Sequence, residues 1–195
     1  MATLFKTLGE FLEKVESTKE RLEITETTAQ FMKTLETEEL EPAVSMILGR
    51  PFPTWSQETL EISWATVSSI LKRATMTDWK IFTQAISSTG DVGEAAKTLF
   101  EKSRPKKQTL LVQKQLTIPE VRRILETVAT TRGPGSREKK ERLIEALFRQ
   151  ASPIEAKYLT KILIGEMRTG LREGLAEQAI AKAFKCRFQR FRKPV

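Results

Sequence analysis

The sequence predicts an all-α protein of about ten helices. Apolar residues recur every three or four positions along most of the 195 residues, which is the spacing of one face of a helix. No segment shows the sustained apolar and polar alternation of a strand. Hydroxyl residues followed by proline and glutamate mark helix starts, and clusters of glycine and proline separate the helices.

The first helix is predicted from the positions of Phe5, Leu8, Leu12 and Val15. Further along, the three clearest breaks between helices are residues 50–54, 103–116 and 132–136, which are rich in proline, glycine or basic residues.

The second half repeats these signals. Thr117 and Glu120 can cap a helix start. The helix that follows carries the apolar positions Val121, Ile124, Leu125 and Val128, and the next carries Leu143, Leu147 and Ala151. A further start lies at residues 152–155, Ser-Pro-Ile-Glu, where proline suits the first helical position.

A shift of 116 residues suggests an internal duplication. It places similar residues on one another without a gap: Phe5 on Val121, Leu8 on Ile124, Leu12 on Val128, Phe31 on Leu147, Met46 on Ile162 and Gly49 on Gly165. We therefore expect one helical domain, residues 1–185, with pseudo-twofold-related halves at about 1–102 and 115–185. A basic linker at 103–114 joins the halves, and a basic tail, 186–195, follows.

Charge is divided unevenly along the chain. The net charge is +8, but residues 1–90 hold 9 Lys/Arg against 13 Asp/Glu, while residues 91–195 hold 24 against 12. This asymmetry fits a surface that faces a polyanion such as nucleic acid or an anionic membrane, although a solvated basic surface has the same composition.

Composition also excludes several functions. The chain has no histidine, so histidine-based acid/base chemistry and the usual structural zinc sites are excluded, and its single cysteine, Cys186, cannot form an internal disulfide. No apolar run approaches the roughly 20 residues of a membrane span, and the first residues lack a signal-peptide pattern. We expect no metal site, no membrane association, a monomer, and a cytoplasmic location, or a nuclear one if the source is eukaryotic.

Two glycine-rich basic segments are candidates for anion binding. In residues 132–140, the glycines allow a close backbone approach and Ser136 begins a helix whose free N–H groups favour a phosphate. The alternative is an ordinary turn with Ser136 as its cap. In residues 157–180, Gly165 and Gly170 let the backbone lie against a surface while Arg168 and Arg172 project towards phosphates. Four residues at helical spacing before them are expected to be core: Tyr158, Leu159, Ile162 and Leu163.

The Gly-x-x-Arg-x-Gly pattern of Gly165, Arg168 and Gly170 resembles the signature at the end of the DNA-binding domain in ATP-dependent DNA ligases of the archaeal and eukaryotic replicative type. Residues 13–22, 48–53, 90–93 and 132–140 resemble other segments of that domain, in the same order. The resemblance covers about residues 5 to 184.

This resemblance implies a helical domain that lies on the minor-groove face of nicked duplex DNA and grips the backbone without reading sequence. It carries the backbone contacts over to Ser17, Thr18, Arg21, Gly135, Ser136, Lys139, Lys140, Gly165, Arg168 and Gly170. Glu166 stands where some relatives have a basic residue, and Arg172 is expected to take over the contact there.

The nucleotidyl-transfer part of such ligases is known by a Lys-x-Asp-Gly motif, which this sequence lacks. We therefore expect no catalysis by this chain alone and no cofactor, because ATP and Mg²⁺ would belong to a catalytic core acting in cis or in trans. The chain is either an excised domain or a stand-alone protein derived from one.

A weaker motif lies at Gln108, Leu110 and Leu111, which loosely resembles a short sequence that docks on a sliding clamp. Two other functions compete with DNA binding. A helical scaffold with a basic face would meet acidic proteins, but solenoid repeats have periods of roughly 30 to 47 residues, much shorter than 116. Binding to a membrane surface would have to rely on the short segment 184–191.

Overall fold

The structure, a computed structural model, describes residues 2–103 and 115–185. Within these ranges the chain forms ten α-helices, and the one β-type pairing there is an isolated bridge between Leu4 and Thr117. The predicted all-α class and helix count are confirmed. The helices are α1 (Phe5–Ser17), α2 (Arg21–Lys33), α3 (Thr37–Ile47), α4 (Trp64–Thr75), α5 (Trp79–Thr89), α6 (Val92–Glu101), α7 (Ile118–Thr130), α8 (Ser136–Gln150), α9 (Pro153–Ile164) and α10 (Glu173–Phe184).

Helix α9 forms the centre of the fold. Its residues from Glu155 to Leu163 are all buried, because α1 and α6 pack against it. The four residues of α9 that were predicted as core are indeed buried. The other helices pack outward, α10 on α2, α5 on α6, and α4 and α7 on α8. In the described part of the chain, no helix has the length and apolar character needed to cross a membrane.

The bridge joins the starts of α1 and α7. The Phe5 N–H donates to the Leu116 carbonyl at 2.8 Å, and the Ile118 N–H donates to the Thr3 carbonyl at 3.0 Å. These bonds satisfy donors that a helix start would otherwise leave open. They also tie the first and second parts of the chain together.

Two matching capping boxes lie 116 residues apart. Glu36 and Glu39 bind each other's backbone N–H groups at the start of α3, and Ser152 and Glu155 do the same at the start of α9. Their spacing equals the shift of the predicted duplication, which stays a prediction.

The ends of α3 and α9 also match. Gly49 and Gly165 both adopt a left-handed conformation, with φ of 75° and 73°. Each donates its N–H to the carbonyl three residues earlier, at 2.9 Å for Met46 and 3.3 Å for Ile162. A twofold axis between the halves stays a prediction.

Helices α1 and α7, which the predicted duplication pairs, match at a shift other than 116 residues. Their first residues, Phe5 and Ile118, are both fully buried and lie 113 positions apart. At the same spacing Leu8 falls on the fully buried Val121, whereas a shift of 116 places it on Ile124, which is only partly buried. The gap-free alignment is wrong for this pair, because the turn before α8 is longer than the turn before α2.

The predicted linker and the predicted tail lie almost entirely outside the described residues. All of the linker at 103–114 except Ser103, and all of the tail at 186–195 with Cys186, fall there. The division stays a prediction.

Candidate nucleic-acid interface

Helices α1 and α9 run side by side in the same direction. In the first half of each helix, Gly9 of α1 packs against Ile154 of α9, so closely that a Cβ added to Gly9 would lie 3.3 Å from the Ile154 side chain. Late in both helices, the Glu16 carboxylate lies 2.9 Å from the Lys161 ammonium. Because contacts advance together along the two helices, both end on the same side of the molecule.

Helix α6 runs the opposite way. Near its start, Gly93 packs against the side chain of Lys161, and near its end Phe100 lies 5.9 Å from Phe148, ring centre to ring centre. Since Phe148 is near the end of α8, that 15-residue helix begins towards the other side, where α6 also begins. We call this side, where α1 and α9 end and α6 and α8 begin, the turn end, and the opposite side the far end.

The first predicted contact segment lies at the turn end, between α1 and α2. The hydroxyls of Ser17 and Thr18 both donate to the Lys14 carbonyl, each at 2.8 Å. Arg21 begins α2 and is exposed, and its guanidinium forms no hydrogen bond or ion pair within the described residues. Its guanidinium is therefore available for an anion, whereas the two hydroxyl protons are already used.

The turn between α7 and α8 has the predicted open backbone. Gly133 and Gly135 adopt positive φ values of 89° and 73°. Helix α8 begins at Ser136, its N-cap is Gly135, and no side chain of the described residues caps its first N–H groups. The Ser136 N–H donates to the Gly133 carbonyl at 3.1 Å, whereas the next two N–H groups, at the positive end of the helix dipole, are suited to an anion. Ser136 does not act as the cap that the ordinary-turn alternative required.

The two predicted lysines of this segment differ. Lys139 is exposed, whereas Lys140 is only 8% exposed. The Lys140 ammonium donates to the Leu60 carbonyl and to a Glu61 carboxylate oxygen, both at 3.1 Å. Lys140 lies one turn before Ile144, on the buried face of α8, so its side chain is directed inward. The expectation that it projects towards a phosphate does not match its position.

Sequence reasoning missed two exposed cations in the same turn, Arg132 and Arg137. The Arg137 side chain is 82% exposed and pairs with Glu141 at 3.2 Å. Both arginines flank the predicted glycines in the sequence, so proximity in the chain was the signal that could have identified them.

The segment between α9 and α10 holds the remaining predicted residues. Gly165 and Gly170 have positive φ values, and no described residue lies within 4 Å of a Cβ added to either. Arg168 also has a positive φ, 49°, and its side chain is 61% exposed. Its guanidinium donates to the Gly90 carbonyl at 3.3 Å and pairs with Glu166 at 2.9 Å.

This segment alternates between exposed and buried residues. Met167, Thr169 and Leu171 are buried, and the residues between them are exposed. Met167 packs so closely on Gly49 that a Cβ there would lie 2.8 Å from the Met167 Cβ. The buried residues hold the segment on the domain, which leaves Arg168 on the outer side. Arg172, the N-cap of α10, is exposed as well.

A buried ionic cluster fixes the helices behind the turn end. Lys157 and Lys161 are 1% and 0% exposed. Lys157 binds the carboxylates of Glu13, Glu16 and Glu94, with a distance of 2.8 Å to Glu16. Lys161 binds Glu16 and Asp91, each at 2.9 Å, and the Tyr158 hydroxyl donates to Glu16 at 3.0 Å. The cluster joins α1, α6 and α9.

The pKa values in this cluster reflect both burial and pairing. Burial alone would raise the pKa of Glu13, but hydrogen bonds from Lys157 and Lys97 outweigh it and leave that pKa below its usual value. Burial likewise opposes the lowered pKa of Asp91, which the Lys161 ammonium and backbone N–H groups maintain. Burial would lower the pKa of Lys157, yet its glutamate partners raise it.

The cluster was not predicted from the sequence. Its signal was the spacing of Lys157 and Lys161, four residues apart on a mostly apolar helix. Glu13 and Glu16 show a similar helical spacing on α1. Oxygens of Glu13, Glu16 and Glu94 lie within 4.8 Å of one another, a grouping that could hold a metal ion. In this protein the Lys157 ammonium lies among them, so a protein cation takes that place.

The possible clamp-binding residues, Gln108, Leu110 and Leu111, lie outside the described residues.

Comparison with known proteins gives the family of the chain. The family described as DNA ligase N terminus matches residues 4–181. The chain is 33% identical over 183 residues to a DNA ligase of Archaeoglobus fulgidus, covering 93% of this chain and 32% of that protein. It is 35% identical over 184 residues to DNA ligase 1 of Korarchaeum cryptofilum, with 93% and 32% covered. It is also 36% identical over 157 residues to a DNA ligase of Thermococcus fumicolans, with 80% and 28% covered.

The chain thus spans about a third of the length of these curated relatives. The match extends from the residue before α1 to well within α10, so it includes every turn described above. The chain belongs to the DNA ligase N-terminus family.

Proposed function

We propose that this chain binds duplex DNA at its turn end, through the phosphate backbone and without reading the base sequence. The observation that carries the proposal is the gathering of exposed cations and open helix N–H groups on one side of a DNA ligase domain. Arg21, Lys139, Arg168 and Arg172 supply charge, and the uncapped start of α8 supplies backbone donors. Such groups bind phosphates, which are the same at every base pair.

The relatives support a role within ligation. They are named DNA ligases, and this chain corresponds to about a third of their length. We propose that the domain holds nicked duplex DNA for a nucleotidyltransferase core that acts in cis or in trans and binds ATP and Mg²⁺. The domain itself contributes position and not chemistry.

The Arg168 environment adds a condition to this proposal. In the free protein the guanidinium is engaged by Glu166 and by the Gly90 carbonyl. A phosphate must displace these acceptors or share the guanidinium with them. The Glu166 carboxylate also repels the phosphate. Exposed ion pairs of this kind are worth about 0–1 kcal/mol, so a charge-assisted bond to phosphate can replace them.

The test is binding of this chain to nicked, intact and single-stranded DNA over a salt series. If about six phosphates are neutralised, log affinity falls with log salt at a slope near −5. Arg168→Ala should weaken binding to all duplexes and reduce the magnitude of the slope by about 1. The matched control is Arg149→Ala, which removes an exposed arginine at the end of α8, at the far end, and should leave affinity unchanged. A slope near zero for the parent chain would refute the proposal.

Clamp binding is a separate proposal. A Gln108→Ala, Leu111→Ala double variant should bind a sliding clamp more weakly than the parent, and equal binding would remove the proposal.

A further inference from the structure

We infer that a depression beside Trp64 receives a deoxyribose of the bound DNA strand, an inference that rests on the proposed function. The depression has a volume of about 340 Å³ and lies at the turn end. Its lining residues are Ile62, Trp64, Val92, Leu163, Ile164 and Glu166. We call it the Trp64 depression.

The chemistry of the lining selects what can enter. Five of the six side chains are apolar, and the sixth is a carboxylate. Burying a charged phosphate against apolar walls without a partner is costly, and Glu166 would repel it. A deoxyribose ring is uncharged and presents C–H groups, so it suits such a surface. The depression therefore has a different role from the cationic turns.

The location of the depression agrees with this role. On one side, Glu166 of the lining pairs with Arg168. On the other side, Ile62 directly follows Leu60 and Glu61, which the Lys140 ammonium of α8 holds. The depression thus lies between the α9–α10 segment and the start of α8, both of which we propose to bind phosphates. Sugars lie between phosphates along a DNA strand, so a strand bound to both places a sugar between them.

Trp64 is positioned to serve as a rigid wall. It is the first residue of α4, after the Ser63 cap, and its ring packs on Phe82 with 5.8 Å between ring centres. It nevertheless remains 41% exposed, on a face that no described residue covers. Burying this surface against a sugar adds binding energy that does not depend on charge.

The inference is tested by Trp64→Ala in the salt series. Loss of this contact should weaken duplex DNA binding about five- to tenfold at every salt concentration, with an unchanged slope, since no phosphate contact is removed. The matched control is Met76→Ala, because Met76 is 79% exposed at the other end of α4. Its affinity should equal that of the parent.

A second measurement covers the case in which Trp64→Ala fails to fold. The chain has three tryptophans, so a Trp55→Phe, Trp79→Phe double variant reports on Trp64 alone. Duplex DNA should change the fluorescence emission of Trp64 and protect it from quenching by acrylamide.

The outcomes separate the two proposals. If the parent shows a steep salt slope while Trp64→Ala folds and keeps full affinity, or while the Trp64 emission and quenching do not change with DNA, the sugar contact is refuted and the proposed function stands. If the parent binds no duplex DNA at low salt, both are refuted.

Discussion

Arg168 is held in a conformation that few arginines adopt. Its φ of 49° is in the left-handed region, which costs a residue with a Cβ about 1–2 kcal/mol. The buried neighbours Met167 and Thr169 fix the backbone on both sides. The result is a guanidinium that is 61% exposed at the turn end. A strained residue held outward by its buried neighbours is a reason to expect a functional contact there.

Glu166→Gln should raise duplex DNA affinity about two- to fivefold at low salt, because it removes both the ion pair that competes for Arg168 and a charge that repels phosphate. The gain should shrink as salt increases. Fluorescence anisotropy of a labelled duplex measures the affinity. The control is Glu101→Gln, because Glu101 is exposed at the end of α6, at the far end. An equal effect of both substitutions would show that only net charge matters.

Single residues also show where sequence reasoning stops. Lys139 is exposed and Lys140 is buried, although they are neighbours on α8. The partners of Lys140 are 79 and 80 residues away in the chain. Local patterns give the phase of a helix, but they do not identify a distant carbonyl that draws a lysine inward. The lysines of α9 were missed for the same reason, since their carboxylate partners lie on α1 and α6.

At the scale of helices, the ends of α3 and α9 offer a matched comparison. Gly49→Ala and Gly165→Ala both place a Cβ at a left-handed φ, which costs about 1–2 kcal/mol. Of these two, Gly49 is packed, with Met167 2.8 Å from the added Cβ, whereas no residue that the structure describes lies within 4 Å of a Cβ added at Gly165. Gly49→Ala should therefore lower the free energy of unfolding by about 1–3 kcal/mol more than Gly165→Ala. Urea denaturation measures both, and equal losses would contradict the described contact.

The cluster that joins α1, α6 and α9 predicts how stability depends on pH. Glu13 and Asp91 have lowered pKa values, so they stabilise the fold above their ordinary values of 4.5 and 3.8, and this stability is lost as the pH falls through the lowered values. Lys157 has a raised pKa, so its contribution is complete below 10.5 and is lost only as the pH rises beyond that value.

The free energy of unfolding should therefore be nearly constant between about pH 5 and 10 and decrease outside that range. Urea denaturation of the parent and of Glu13→Gln at several pH values measures this dependence. The variant should be less stable at neutral pH and show a weaker loss in acid. If both proteins lose stability in acid to the same extent, Glu13 does not contribute in the way described.

The helices themselves could be predicted because their signals are local. The capping box at Ser152, the prolines and the apolar spacing each act within one or two turns of a helix. The alignment of α1 with α7 could not be predicted, because the length of the turn before α8 changes the register without altering either apolar pattern. Of the candidate site, the glycine turns and Arg168 were found from the sequence, while the Trp64 depression depends on how three separate chain segments meet.

At the scale of the whole molecule, the fold brings cations from distant parts of the chain to the turn end. Basic residues are concentrated after residue 90, and α8, α9 and the segment that follows bring several of them to the turn end. The first half contributes Arg21 from α2. If the domain faces DNA with one end, as proposed, its other surfaces are available to the remaining parts of a ligase.

The most direct test of this account compares two triple variants with the same change in net charge, from +8 to +5. One removes cations at the turn end, Arg21→Ala, Lys139→Ala and Arg168→Ala. The other removes cations at the far end, Lys6→Ala, Lys102→Ala and Arg149→Ala. The measurement is the salt dependence of affinity for a nicked duplex.

The account predicts that the turn-end variant loses affinity and that its slope decreases in magnitude by about 3, one unit for each phosphate contact. The far-end variant should keep the parent slope. Equal losses in the two variants would contradict the account, because DNA would then respond to total charge and not to one end of the molecule.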